Sequence, residues 1–175
     1  MGGRVALHFA AAHPTKVRRL ILESASPGLG TEAERLERKA NDEALACEIE
    51  LHGVKDFIRR WESLPLFESQ LQLPNPVRAK RHAQRLRNTE AGLASALRGL
   101  GTGALPSLWE ALPSIQTRTL IIAGELDTKF VEIGEQMTAV LPQAQLLIVP
   151  GAGHTVHLER PRPWVEAVAE FIYST

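Results

Sequence analysis

Short apolar runs separated by amphipathic segments dominate the pattern of hydrophobic and polar positions along this chain. Three of these runs, at residues 17–22, 120–123 and 146–149, are rich in Val, Leu and Ile and are bounded by turn residues. Continuous apolar runs of this length are typical of strands buried on both faces of a parallel sheet. The sequence therefore predicts three parallel strands.

Segments with a helical pattern lie around these strands, and proline marks where each begins or ends. They cover residues 2–13, 130–141 and 164–173. Proline is tolerated in the first turn of a helix but disfavours helical backbone in the residue before it. Alternating helices and strands are typical of an α/β layered fold, so we expect parallel strands with flanking helices.

A long segment of different character separates the first predicted strand from the second. Thr31 and Glu34 have the spacing of a capping box, which starts a helix. Helical patterns then cover residues 54–62, 77–87 and 91–100, and the proline-containing stretch 64–76 interrupts them. An all-helical insertion between two core strands is typical of a lid over an active site. A helical decoration without a catalytic role is the alternative.

These patterns divide the chain into three parts. Residues 1–30 form a core helix and strand, residues 31–112 form a helical lid insertion, and residues 113–175 form a C-terminal core. A chain of 175 residues is long enough to bury a sizeable core.

Composition narrows the possible partners and location. The chain has 20 Lys and Arg against 20 Asp and Glu, so its net charge gives no argument for nucleic acid or a membrane surface. No apolar run approaches the roughly 20 residues that span a bilayer, and Met1 leads into glycine rather than a basic signal-peptide region. The single Cys47 excludes an intrachain disulfide and fits a reducing compartment. We expect a cytoplasmic protein.

Polar side chains follow the second and third predicted strands. His154 comes after the third strand in a Gly-Ala-Gly-His sequence, and Asp127 follows the second strand. The carboxyl ends of parallel strands share one edge of the sheet, where ligands bind. An aspartate there can accept a hydrogen bond from the histidine Nδ1–H and fix its tautomer. We predict an Asp127–His154 acid–base pair. A structural histidine and an aspartate that only caps a helix are the alternatives.

Three other polar residues compete for roles at this edge. Glu125 is the alternative acid if the loop has a different register. Ser26 follows the first strand, but Pro27 and Gly28 extend a loop instead of starting a helix, which disfavours it as a nucleophile. His157 has helical spacing from His154, but no further ligand cluster accompanies it, so we expect no metal site.

Arginine is frequent in the predicted lid. Most of these side chains belong to solvated helix faces, but residues 76–87 contain no acidic residue. Arginine binds carboxylates with two parallel hydrogen bonds, so this stretch favours a small anionic substrate carrying several carboxylates. Nucleic acid is disfavoured because the chain is neutral and lacks base-stacking motifs.

Short motifs identify a family resemblance that covers essentially the whole chain. The chain resembles the α/β-hydrolase superfamily in Met-Gly-Gly-Arg at residues 1–4, Gly-Glu-Leu-Asp at 124–127 and Gly-Ala-Gly-His at 151–154. Within it, the chain is similar to the 2-succinyl-6-hydroxy-2,4-cyclohexadiene-1-carboxylate synthases of menaquinone biosynthesis. That similarity rests on residues 22–29, Trp61 with 65–67, 124–130 and 154–161.

The resemblance implies a fold, a reaction and a set of residues. The fold is the C-terminal part of an α/β-hydrolase, and the reaction is a base-triggered elimination of pyruvate that needs no cofactor. The catalytic residues it implies are Asp127 and His154, with the backbone N–H of Met1 as an oxyanion donor. The substrate-binding residues it implies are Arg4, Arg38, Trp61 and Arg87.

The chain departs from the family pattern at its start, because the nucleophile serine of the family precedes the position of Met1. A start site assigned to an internal methionine and a genuine serine-less product are the two explanations that we weigh. In either case we expect residues 1–175 alone to be inactive and marginally folded, with the strand at 17–22 as an exposed edge. An ester or carbon–carbon bond hydrolase and a non-enzymatic interaction fragment are the alternative functions. The oligomeric state stays open.

Overall fold

The computed structural model describes residues 1–174 and divides them into two compact units. The core unit comprises Met1–Pro27 and the segment from Leu108 onward. The helical unit comprises Gly28–Ser107.

Helices and strands alternate in the core unit, whereas the helical unit contains no strand among its described residues. In chain order the elements are α1 (Gly2–Ala12), β1 (Arg19–Glu23), α2 (Glu32–Glu62), α3 (Asn75–Arg85), α4 (Glu90–Leu100), β2 (Arg118–Gly124), α5 (Thr128–Val140), β3 (Ala144–Val149), α6 (Val156–Glu159) and α7 (Pro161–Tyr173). Short 3₁₀ segments lie at Pro14–Lys16, Pro65–Gln72 and Trp109–Ser114. Within residues 1–174 no helix is both long and apolar enough to cross a membrane.

The core unit is built on a parallel three-stranded sheet in the order β1-β2-β3. Leu22 pairs with Ile121, and Ile121 pairs with Leu146. The three predicted strands are confirmed, with shifted ends. The first begins at Arg19 rather than at residue 17, because the 3₁₀ turn Pro14–Lys16 ends at Val17.

Two apolar layers cover the two faces of this sheet. Leu20, Leu22 and Ile121 pack on one face with residues of α1 and α5. Leu120 and Ile122 pack on the other face with residues of α6 and α7. Because successive strand residues point to opposite faces, a strand buried on both sides must be apolar at nearly every position. That requirement explains the apolar run of β2, whereas β1 and β3 are buried at fewer positions.

Helix boundaries in the core unit follow the proline positions. The predicted helices are confirmed as α1, α5 and α7. Helix α7 begins three residues before the predicted start at residue 164, because Pro161 and Pro163 both fit its first turn. The short α6 was not predicted, since four residues are too few to show a helical period.

The helical unit begins with the predicted capping box. The Thr31 hydroxyl accepts a hydrogen bond from the Glu34 N–H, and the Glu34 carboxylate accepts one from the Thr31 N–H. Helix α2 then runs to Glu62 with a break at Gly53, where φ is 82° and ψ is 165°. An apolar cluster around Ile49 and Phe57 packs α2 against α4.

Candidate active site

Asp127 and His154 meet at the carboxyl edge of the sheet. The histidine Nδ1 lies 2.6 Å from the Asp127 Oδ2, a distance typical of a strong, charge-assisted hydrogen bond in which Nδ1–H donates. Asp127 is 7% exposed, and the side chain of His154 is 23% exposed. A buried carboxylate with a half-buried imidazole can fix the histidine tautomer and stabilise its protonated form.

The backbone brings the acid and histidine loops into direct contact. The N–H of Leu126 donates to the carbonyl oxygen of Ala152 at 2.9 Å. The N–H of Glu125 donates to the carbonyl oxygen of Val149 at 3.0 Å. A Cβ on Gly124 would lie 2.2 Å from the Gly153 carbonyl oxygen, so only glycine permits this approach. The spacing of the acid and the histidine is therefore set by the main chain.

Asp127 occupies the N-cap position of α5, but its side chain makes no capping hydrogen bond. Its carboxylate is directed to His154 instead. The alternative acid, Glu125, is exposed, and its carboxylate accepts the Gly151 N–H at 2.8 Å. Between the two candidate acids, the structure thus brings Asp127 to the histidine.

Glu159 is a residue of this site that sequence reasoning missed. It is 7% exposed, and its carboxylate accepts the N–H of Gly153 at 2.7 Å and that of Thr155 at 3.1 Å. These two amides flank His154, so Glu159 holds the loop that carries the imidazole. Nothing in local sequence separates it from the exposed glutamates, because its burial arises from packing between α6 and the histidine loop.

Ser24 at the end of β1 is a second feature that the sequence did not reveal. Its φ is 42°, the one positive φ of a non-glycine residue in the described chain. Its hydroxyl is buried and has no hydrogen-bond partner among residues 1–174. The next residue, Ala25, lies against Gly3, where a Cβ would come within 2.6 Å of the Ala25 Cβ. This contact accounts for glycine at the start of α1.

The other polar candidates of the core unit are His157 and Ser26. The His157 Nδ1 lies 2.9 Å from a carboxylate oxygen of Glu23. Ser26 is half-buried in the loop after β1 and does not start a helix, since α2 begins only at Glu32. No group of three or more His, Cys, Asp and Glu side chains within residues 1–174 could hold a metal ion.

Met1 and Arg4 lie at the start of α1. Met1 is the N-cap residue and is exposed, and its carbonyl accepts the N–H of Arg4 at 3.1 Å. Arg4 is 7% exposed and shares the buried face of α1 with Leu7 and Ala10.

Three expected substrate residues belong to the helical unit. Arg38 donates through Nε to the buried Asp42 at 2.8 Å. Trp61 packs between two aromatic rings, with ring-centroid distances of 5.5 Å to Phe57 and 5.6 Å to Phe67. The Trp61 ring therefore contacts the apolar core of the helical unit on two sides.

Arg87 lies just beyond the end of α3 at Arg85, not within the predicted helix 77–87. The helix stops there because the following residues form a turn, in which the Arg87 N–H bonds to the Gln84 carbonyl at 3.2 Å. Arg87 is exposed and lines an open pocket of ≈ 550 Å³ with Arg81 and Arg85. Arg85 also donates to the Glu62 carboxylate at 2.8 Å, so part of the positive charge around this pocket is compensated within the helical unit.

Comparison with known proteins connects this geometry to a family. Residues 1–161 match the family described as alpha/beta hydrolase fold. The chain belongs to the alpha/beta hydrolase fold family. The resemblance predicted from the motifs is thus confirmed, as is the α/β fold with parallel strands.

Relatives within the alpha/beta hydrolase fold family include two named as synthases. The chain is 45% identical to a putative 2-succinyl-6-hydroxy-2,4-cyclohexadiene-1-carboxylate synthase from Bacillus subtilis (strain 168), over 99% of this chain and 64% of that protein. It is 30% identical to the synthase of that name from Klebsiella pneumoniae subsp. pneumoniae, over 99% of this chain and 66% of that protein. The chain therefore spans about two thirds of the length of these relatives.

Solved structures of the same fold give a consistent result. The structure of MenH from S. aureus superimposes with a TM-score of 0.94 and 40% identity, over 97% of this chain and 64% of that one. A thermophilic esterase from Thermogutta terrifontis has a TM-score of 0.83 and 26% identity, over 98% of this chain and 61% of that one. The fold is shared by proteins with different activities, so the reaction has to be argued from the site.

Proposed function

We propose that this chain carries the acid–base pair and the carboxylate-binding side chains of a 2-succinyl-6-hydroxy-2,4-cyclohexadiene-1-carboxylate synthase-like lyase. The observation that carries the proposal is the 2.6 Å Asp127–His154 pair in a chain 45% identical to the Bacillus subtilis protein of that name. The proposed reaction is removal of a proton from the substrate followed by elimination of pyruvate.

In this proposal the histidine is the base and the aspartate sets its state. With Nδ1–H bonded to Asp127, the imidazole carries its basic lone pair on Nε2. The negative charge of Asp127 then stabilises the imidazolium that forms when His154 takes up a proton. The Glu159 carboxylate accepts hydrogen bonds from the amides on both sides of His154 and so fixes the position of the imidazole.

A substrate with several carboxylates gives the arginines a role. We assign Arg4, Arg38 and Arg87 to substrate binding, with Trp61 as an aromatic contact and the nitrogen of Met1, an α-amino group in this chain, as an oxyanion donor. The pocket that Arg87 shares with Arg81 and Arg85 supports the assignment of Arg87, because a cluster of guanidinium groups favours an anionic ligand over a neutral ester.

The second candidate function is ester hydrolysis, which the likeness to the Thermogutta terrifontis esterase favours. The gene product that contains this chain should be supplied with the anionic synthase substrate and, separately, with p-nitrophenyl esters. We expect pyruvate release from the first and negligible turnover of the second. Ester turnover without pyruvate release would establish the alternative instead.

Substitution of the acid tests the assignment of the base. Asp127→Asn preserves shape but no longer favours the Nδ1–H tautomer, so we expect pyruvate release to fall by about 10⁴-fold. The ¹⁵N spectrum of the His154 ring should show the loss of that tautomer. The matched control is Glu125→Gln, which alters the neighbouring acid that bonds Gly151 and should leave the rate within a few-fold. Equal losses in both variants would argue against Asp127 as the partner of the base.

A further inference from the structure

Asp42 is the one buried charged residue of the helical unit among its described residues. It is 3% exposed, whereas the other carboxylates of α2 lie at least partly in solvent. Its Oδ1 accepts the Arg38 Nε–H at 2.8 Å. Its Oδ2 is buried and has no hydrogen-bond donor within residues 1–174. One oxygen of this carboxylate is thus removed from water without a hydrogen bond that replaces its hydration.

The surroundings of Asp42 are closed by a glycine loop. A Cβ on Gly101 would lie 2.4 Å from the Asp42 Oδ2. A Cβ on Gly103 would lie 2.5 Å from the Arg35 carbonyl oxygen and 2.6 Å from the Lys39 nitrogen. Two glycines therefore let the loop after α4 lie directly on α2 and exclude water from Asp42.

This arrangement is unfavourable for stability taken by itself. Removing a carboxylate from water costs free energy, which one ion pair to a half-exposed arginine only partly offsets. The side chain of Arg38 is 47% exposed. An apolar or amide side chain at position 42 would avoid this cost, so the charge of Asp42 requires another explanation.

Arg38 supplies that explanation through the part of its guanidinium that Asp42 does not use. Asp42 engages Nε alone, and Nη1 and Nη2 make no hydrogen bond within the described chain. The two Nη groups form a planar edge that binds a carboxylate with two parallel hydrogen bonds. An arginine fixed at Nε presents that edge in one orientation and loses less side-chain entropy when a ligand binds.

Arg98 on α4 shows the contrasting case. Its Nε and Nη2 donate to Glu43, and Nη1 and Nη2 donate to Glu50. Every nitrogen of that guanidinium is used within the protein, so Arg98 serves to tie helices together. Arg38 differs because its ligand-binding edge is left open.

We propose that Asp42 is a positioning residue that holds Arg38 ready to bind a carboxylate of the substrate. The inference rests on the proposed function, since it needs an anionic substrate that reaches Arg38. Asp42 itself does not contact the substrate and acts only through the orientation and charge of the guanidinium.

The test uses the gene product that contains this chain, with the dicarboxylate product of the proposed reaction as the probe, titrated by calorimetry. We expect Asp42→Asn to weaken binding about tenfold, because a neutral amide holds Nε less firmly. We expect Arg38→Ala to weaken binding at least as much. Adding Asp42→Asn to Arg38→Ala should then have no further effect, because Asp42 acts through Arg38.

Thermal unfolding separates positioning from a structural role. Asp42→Asn removes a buried charge, so its unfolding midpoint should be equal to or above that of the wild type. The matched control is Asp56→Asn, which removes ion pairs to Arg59 and Arg60 on the same helix. Asp56→Asn should leave the affinity for the probe unchanged.

The outcomes distinguish this inference from the proposed function. Binding that is lost in Arg38→Ala but kept in Asp42→Asn overturns the role of Asp42 and leaves the proposed function in place. A lowered midpoint with unchanged affinity in Asp42→Asn shows a structural residue and also overturns it. Failure of the wild type to bind the probe overturns the proposed function and this inference together.

Discussion

At the scale of single residues, buried carboxylates organise this molecule. Asp127 meets the imidazole of His154, Glu159 meets the amides around that imidazole, and Asp42 meets the Nε of Arg38. Each is less than a tenth exposed. Burying a carboxylate costs free energy that hydrogen-bond donors offset, fully or in part, so each of the three marks a place where specific donors are held in position.

Replacing Glu159 should loosen the histidine loop and destabilise the fold. Glu159→Ala leaves the Gly153 and Thr155 amides without their carboxylate acceptor, which we expect to cost about 2 kcal/mol of unfolding free energy. Glu159→Gln keeps an amide oxygen and should lose less. Urea unfolding measures both, with the exposed Glu166→Ala of α7 as a control that changes the free energy by less than about 0.5 kcal/mol. A cost equal to that of the control would show that the loop does not depend on Glu159.

At the scale of elements, α2 is the helix whose path is least predictable from the sequence. A capping box and a helical pattern predict where it begins, and both are confirmed. The break at Gly53 is different, because a glycine within a helical pattern is compatible with either a continuous or a bent helix. Here the Val54 N–H donates to the carboxylate of Glu90, at the start of α4, at 3.3 Å. This hydrogen bond between helices accompanies the bend.

Alanine substitutions at two glycines should therefore change the unfolding free energy in opposite directions. Gly53→Ala places a Cβ at φ 82°, and we expect a loss of about 1–2 kcal/mol in unfolding free energy. Gly99→Ala in α4 meets no atom within 4 Å and should gain about 0.5–1 kcal/mol from a better helix former. Chemical denaturation of both variants gives the comparison. A stabilising Gly53→Ala would mean that α2 is straight in solution.

The tie between α2 and α4 should depend on pH. Hydrogen bonds from Arg98 hold the pKa values of Glu43 and Glu50 below their ordinary value of 4.5. Lowered carboxyl pKa values mean that this stabilisation is complete above pH 4.5 and is lost as the pH falls through the folded-state values. Because all three groups are exposed, the effect should be modest and sensitive to salt.

Arg98→Gln tests this dependence. The difference in urea midpoint between wild type and Arg98→Gln should be largest at neutral pH and should shrink in acid. Arg59→Gln is the control, since its partner Asp56 lies on the same helix and joins no second element. A difference that persists unchanged into acid would assign the effect of Arg98 to packing rather than to its charge.

At the scale of the whole molecule, the sequence predicts the layers better than the details. The three strands are visible because each contributes a short apolar run to a sheet whose two faces are covered, although only β2 is buried along nearly its whole length. The acid and histidine are visible because they follow strands that end at one edge of the sheet. Glu159, Ser24 and Asp42 are not visible, since their burial depends on segments that the fold brings together. Helix ends shift by a few residues where turns compete, as at Arg87.

The two ends of the helical unit meet, and this makes removal of that unit a direct test. The Leu108 N–H donates to the Pro27 carbonyl at 2.9 Å, so residues 27 and 108 are neighbours within the core unit. We expect a chain in which a short Gly-Ser linker replaces Gly28–Ser107 to keep the sheet and the Asp127–His154 hydrogen bond. Dispersed amide resonances and the His154 Nδ1–H tautomer are the signals to look for. Loss of cooperative unfolding in this variant, when the wild type unfolds cooperatively, would show that the core unit depends on the helical unit.

The closeness of residues 27 and 108 also has a consequence for how such genes evolve. A stretch of coding sequence that starts and finishes at adjoining residues can be exchanged by recombination without altering the strands on either side. Selection could then renew the part of the protein richest in arginine while the loops carrying Asp127 and His154 were inherited unchanged. Under the proposed assignment of substrate binding to these arginines, substrate preference and proton transfer would then evolve as separately transmissible traits.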